Sequence, residues 1–171
     1  GFIIGTEFEQ MNDYFVNLEL SNFYEDLETS STATNIVKKQ EGNYLENLLM
    51  YTIKYNKLDQ DYQPTGGFVN YFSQTLPLYS DDLSIENKFQ STLYHSLNDN
   101  LILSANFYLK TINSLEDNVR ISKRVYVPSR FLRGFESGKI GPKDGSQYVG
   151  GNYAAALNLN STLPNIFFEK D

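Results

Sequence analysis

Apolar and polar residues alternate with a period of two along most of this chain, the spacing of β-strands with two chemically different faces. From Tyr153 to Thr162, Tyr153, Ala155, Leu157 and Leu159 point one way. Ala154, Ala156, Asn158, Asn160 and Thr162 point the other. Between Leu101 and Lys110, Leu101, Leu103, Ala105, Phe107 and Leu109 oppose Ser104, Asn106, Tyr108 and Lys110. From Ile85 to Leu97, Ile85, Phe89, Leu93 and Leu97 oppose Glu86, Lys88, Gln90, Thr92, Tyr94 and Ser96. Weaker alternation runs over Phe2–Gln10, Phe15–Tyr24, Leu45–Lys57 and Phe68–Leu78. The pattern predicts about seven strands, several longer than the ~5–6 residues usual in globular proteins. No segment carries a helical period, and no repeat or linker composition interrupts the series. Pro64, Pro77, Pro128, Pro142 and Pro164 fall in connections or at strand ends, where a missing N–H removes no ladder bond.

The connections predict one end with short turns and one with longer loops. Met11–Asp13 and Asn98–Asn100 read as tight turns, and Asp59–Gly67 as a compact one. Glu25–Asn43 is long and polar, Leu78–Leu83 modest, and Asn113–Gly151 very long. Such segregation suits a transmembrane barrel. The alternation itself reads the same whether the apolar face packs a soluble core or meets lipid. Strand length, and the lack of closely spaced Gly-Pro turns, favour the barrel.

Composition narrows the classes. The absence of Cys excludes a disulfide framework, thiolate metal sites and Cys nucleophiles. A net charge of −7 argues against nucleic acid as a partner. No apolar run reaches the roughly 18 residues of a membrane helix, but a membrane strand needs only about 9–11. A mean hydropathy of −0.43 is compatible with that. The chain opens at Gly1 inside a strand, so we expect an internal piece of a longer protein, with targeting information upstream. His95, the single His, sits near a strand end without companions for a metal site. Arg120, Lys123, Arg124 and Arg130 open the longest loop and read as a solvated or lipopolysaccharide-facing patch. Asp81-Asp82 and Glu25-Asp26 read as loop acids. The glycines of 138–145 lack the Gly-Lys-Ser/Thr ending of a phosphate loop.

That loop also carries Leu132-Arg133-Gly134-Phe135 and then Ile140-Gly141-Pro142. A loop Arg is ordinarily solvated, but apolar residues flank this one. Gly134, Gly138, Gly141 and Gly145 permit tight turns and close backbone approach. The stretch resembles the signature of the outer-membrane protein assembly family, the surface-antigen barrels. Tyr62-Gln63-Pro64-Thr65-Gly66-Gly67, following Tyr55–Asp59, resembles the family's periplasmic turn between strands eight and nine. Asp59, Pro64, Gly66 and Gly67 are its turn residues. Gly150-Gly151-Asn152 and the strand running to Leu163-Pro164 resemble strand twelve.

The resemblance implies an all-β fold. Residues 1–171 would be about strands six to twelve of a sixteen-stranded antiparallel transmembrane barrel, with the loop 113–151 folded into its lumen. It implies that Arg133 docks on the inner wall, shielded by Leu132 and Phe135. The wall position falls at Asn160, where the family pattern has Glu, and a second acid would lie beyond Asp171. The implied function is folding and inserting β-barrel proteins into the outer membrane of a Gram-negative bacterium, without cofactor or catalytic residue. Implied partners are outer-membrane lipid, client β-barrel proteins, and assembly-complex lipoproteins bound through upstream POTRA domains. A two-partner secretion or autotransporter-assembly barrel, a passive porin and a soluble β-sandwich binding module are the alternatives.

Overall fold

A computed structural model describes residues 1–162 apart from 32, 99 and 117, with the backbone alone at 36. Its elements are β1 (Phe2–Met11), β2 (Tyr14–Leu27), the one-turn helix α1 (Asn35–Lys38), β3 (Gly42–Asn56), β4 (Gly67–Ser80), β5 (Ser84–Asn98) and β6 (Leu101–Ser114). The two-residue strands β7 (Lys143–Asp144) and β8 (Gln147–Tyr148) and the long β9 (Tyr153–Thr162) follow. The seven long strands form one antiparallel sheet in the order β1-β2-β3-β4-β5-β6-β9. These are the seven strands that the alternation predicts. Leu163 and Pro164, expected to close the last strand, lie outside the described residues. At roughly 3.4 Å per residue even the ten-residue strands exceed a ~30 Å hydrocarbon layer.

Register decides what each face presents. Val16, Ile53, Phe72, Phe89, Leu109 and Ala155 pair in succession across six strands, making an apolar row on the outer face. The row above it contains polar side chains that satisfy one another. Tyr51 Oη donates to Gln74 Oε1 (3.0 Å), Gln74 Nε2 to Asn87 Oδ1 (2.6 Å), and Asn87 Nδ2 to Thr111 Oγ1 (3.4 Å). Asn22 Nδ2 likewise donates to Asn47 Oδ1 across β2 and β3 (2.7 Å). Pairing of this kind lowers the cost of an amide on an otherwise apolar face.

At one end the turns are tied together and edged with aromatics. Asp13 pairs with Lys57 of the neighbouring turn, and Asn56 N donates to Asp13 O (2.9 Å). Tyr14 stacks on Tyr55 at 4.2 Å, and Tyr55 meets Phe68 edge-on at 5.5 Å. Gly67 has φ 91°, and a Cβ there would stand 2.0 Å from Lys57 O, so only Gly fits where the chain re-enters β4.

The lengths of the connections depart from the expected alternation. Residues 57–66 form a larger turn than residues 81–83 at the opposite end. The short link works because Asp81 takes over part of the ladder. Its Oδ2 accepts from Leu45 N (2.8 Å), and its N donates to Leu45 O (3.2 Å).

Candidate functional site

The segment 115–152 folds back over one face of the sheet, which is hereafter the inner face. β6 and β9 make room for it. Tyr108 and Ile112 project from β6, and β9 offers only Ala154 and Ala156 beside them. Val119, Val125 and Phe131 of the loop pack on these residues, and the six buried members form the hydrophobic core. The rings of Phe131 and Tyr108 lie 4.9 Å apart. Asn158 Nδ2 donates to Phe131 O at 3.0 Å. A bridge between Val125 and Gly151 closes the loop on itself, with N···O distances of 2.7 and 2.9 Å. Gly150 turns the chain at φ 68°, where a Cβ would strike the Tyr126 ring at 2.8 Å.

The base of the loop is held differently, by charge. Arg120 is only 4% exposed. Its Nη2 pairs with Glu46 of β3 and lies 3.0 Å from Glu25 Oε2 of β2. Its Nε donates to Ser122 Oγ (2.9 Å), and the guanidinium carbon sits 3.9 Å from the Tyr44 ring centroid. Lys123 Nζ reaches Glu46 Oε1 (2.8 Å), Asp82 O (3.2 Å) and Ser84 Oγ (3.2 Å). Asp82 Oδ2 stands 3.9 Å from Arg120 Nε and 3.7 Å from Lys123 Nζ, close enough for charge pairing but not for a hydrogen bond. Ile121 N donates to Gln40 Oε1 (2.6 Å), joining the loop to the connection before β3. The expected solvated patch is therefore wrong for Arg120 and Lys123. Both face inward onto wall carboxylates that lie far from them in sequence.

Leu132–Phe135 lies beside the inner wall, but its side chains are arranged otherwise than expected. Arg133 is exposed and borders a cavity of about 380 Å3 together with Arg130, Gln90, Thr92, Asn158 and Asn160. Among the described residues no ion pair joins Arg133 to a carboxylate. Leu132 is half-buried and Phe135 is 63% exposed, so they do not sheathe the guanidinium. Phe131, just before the motif, takes the buried place, and Asn158 makes the wall contact while Asn160 lines the cavity. Positive φ at Gly134, Gly138 and Gly141 shapes the tip, yet a Cβ there would meet nothing within 4 Å, so close approach is not their role. Ile140, Gly141 and Pro142 lead into the β7–β8 hairpin, where Pro142 O accepts from Val149 N (3.0 Å).

The turn residues lie together at the other end of the sheet. Asp59 accepts from Thr65 Oγ1 and Thr65 N, the latter at 3.1 Å, while its own N donates to Gly66 O (3.2 Å). The Thr65 hydroxyl above all, with backbone N–H groups, holds the Asp59 carboxyl below the usual range. Pro64 and Gly66 complete this turn. Among the described residues no group of three or more His, Asp or Glu could hold a metal ion.

Comparison with known proteins agrees with this architecture. A family model described as the Omp85 superfamily domain matches residues 2–170. A search of curated proteins found no match. Among solved structures, the chain is similar to the crystal structure of BamA from Haemophilus ducreyi lacking POTRA domains 1–3. The TM-score is 0.84 at 20% identity, over 99% of this chain and 38% of that one.

Proposed function

The chain belongs to the Omp85 superfamily, and we propose that it forms the central wall and inward loop of an outer-membrane barrel that folds and inserts other β-barrel proteins. Family membership supports a barrel role in assembly or secretion. The finer reading rests on one observation: a long loop is fixed on the inner face by Phe131 and by a buried charge cluster. In this reading the apolar outer rows meet lipid and the polar inner face lines the lumen. A passive porin would instead present charge rings on a constriction loop. Neither cofactor nor nucleotide takes part. Client barrels, membrane lipid, and lipoproteins held by upstream domains are the proposed partners.

Arg133 and Asn160 border one cavity, and we assign Arg133 the functional role at the tip. The test replaces the chromosomal parent by Arg133→Ala and follows assembly of a reporter barrel. Heat-modifiability of the mutant on gels shows whether its own barrel is intact. Reduced assembly with an intact barrel is expected, and a milder effect for Asn160→Ala, which removes at most a neutral hydrogen bond. Assembly at the wild-type rate would make Arg133 a surface residue. Depletion of the parent separates the readings within the family. Loss of one secreted partner, with reporter barrels unaffected, would identify a secretion transporter instead.

A further inference from the structure

We propose that Arg120 and Lys123, with Glu25, Glu46 and Asp82, form an anchor that positions the tip of the loop. The assembly arm of the test below rests on the proposed insertase reading; the anchor itself does not. The inner wall contributes three carboxylates to the cluster, from β2, β3 and the β4–β5 link. The loop contributes both cations. Docking is therefore complementary in charge, and it sets both loop cations on Glu46, which is 5% exposed. Tyr44 covers the guanidinium from the wall side, which raises the strength of the pairing by excluding water.

The cluster is rigidly connected to the tip. A single 3-10 turn, Ile121–Lys123, holds Lys123 beside Arg120, since Lys123 N donates to Arg120 O (3.0 Å). Arg124 leads directly into the bridge between Val125 and Gly151. A second 3-10 turn, Ser129–Phe131, then delivers Phe131 onto Tyr108 and leaves Arg133 on the cavity. The loop thus has two attachments, one ionic at its base and one apolar at its tip. Arg120 acts on Arg133 through that intervening backbone, as a positioning residue.

The test uses the full-length parent in a cysteine-free background carrying Val125→Cys. Val125 is 4% exposed, so a docked loop protects this thiol from a water-soluble maleimide. Arg120→Met leaves Glu46 with only Lys123, and labelling should speed up about tenfold or more, with the barrel still heat-modifiable. Adding Glu46→Gln removes one of the three carboxylates that Arg120→Met leaves around the single cation Lys123, and should restore part of the protection. A side chain that merely fills space would show no such rescue. Reporter-barrel assembly should fall in Arg120→Met and recover in part in the double variant. Labelling of Arg120→Met at the parental rate, or no rescue, overturns the anchor. Should Arg120→Met lack a heat-modifiable barrel, Lys123→Met, which leaves Arg120 on Glu46 and Glu25, carries the labelling arm alone, and labelling at the parental rate again overturns the anchor. A freely labelled thiol with undiminished assembly would keep the anchor and defeat the insertase role of the loop.

Discussion

Replacing Phe131 by Ala should release the loop tip, whereas the same change at Phe135 should not. Phe131 is 9% exposed, meets the Tyr108 ring at a tilt with centroids 4.9 Å apart, and packs among Ile112, Val119, Val125 and Ala154. Burial of a Phe side chain contributes about 1.5–3 kcal/mol, and an aromatic pair adds ~0.5–1.5 kcal/mol. With the cavity left behind, Phe→Ala in a packed core costs about 3–5 kcal/mol. This cluster is one layer deep beneath a loop that can partly collapse, so the lower end, about 3 kcal/mol, applies. The bond from Asn158 to the Phe131 carbonyl involves backbone and is not removed. Phe135, with most of its surface in solvent, should change stability by no more than ~0.5 kcal/mol. Amide hydrogen exchange in the full-length protein measures the difference. The amide of Ile112 on β6 bonds to Asn152 O, while those of Val125 and Gly151 bond to each other's carbonyls within the loop; all three should exchange faster once the loop loses its packing on Tyr108 and Ile112. A loss of about 3 kcal/mol corresponds to roughly a hundredfold faster exchange. Acceleration in Phe131→Ala below about tenfold, or equal acceleration in Phe135→Ala, would refute the claim that Phe131 fastens the tip.

Three further outcomes are expected. Cysteines at Leu103, Phe107, Leu157 and Leu159 should react with membrane-soluble probes, and those at Ser104, Asn106, Asn158 and Asn160 with water-soluble ones; Leu157→Arg should cost about 2–4 kcal/mol if it lies near mid-bilayer. Asn47→Leu strands the Asn22 amide and should cost about 1–3 kcal/mol, while Asn22→Leu/Asn47→Leu should be nearly neutral, as read by denaturant unfolding of the inserted barrel. Because the folded Asp59 carboxyl is held low, its contribution to the 57–66 turn is complete above the ordinary Asp range and disappears as pH falls through the depressed value. Exchange at the Thr65 amide, corrected for its intrinsic pH dependence, should therefore rise only in that acid range; an onset near neutrality would contradict this.

How much of this was legible in the chain depends on the range of the interaction concerned. Strand existence and facing are local matters. A side chain at i and one at i+2 share a face whatever the rest of the protein does, so Leu101–Leu109 and Tyr153–Thr162 displayed their two faces in the sequence alone. The turn at Pro64–Gly67 was equally visible, since its requirements are met within a few residues. The Arg-Gly-Phe stretch lies in the loop that covers the sheet, but the phenylalanine buried there is Phe131 and not Phe135. Phe131 and Phe135 have the same chemistry, and only the path of the loop over Tyr108 separates the buried one from the exposed one. The length of the 81–83 link was hidden because Asp81 bonds to Leu45 in a neighbouring strand. Arg120 is the sharpest case: as a residue in a polar loop it reads as solvated. Its partner Glu46 is 74 positions away on a strand, and nothing near either residue announces the other. The sequence by itself determined a sheet with one apolar and one polar face. Only the tertiary structure decided that the longest loop covers the polar face, because that outcome required wall carboxylates, loop cations and an alanine-lined gap to meet across strands.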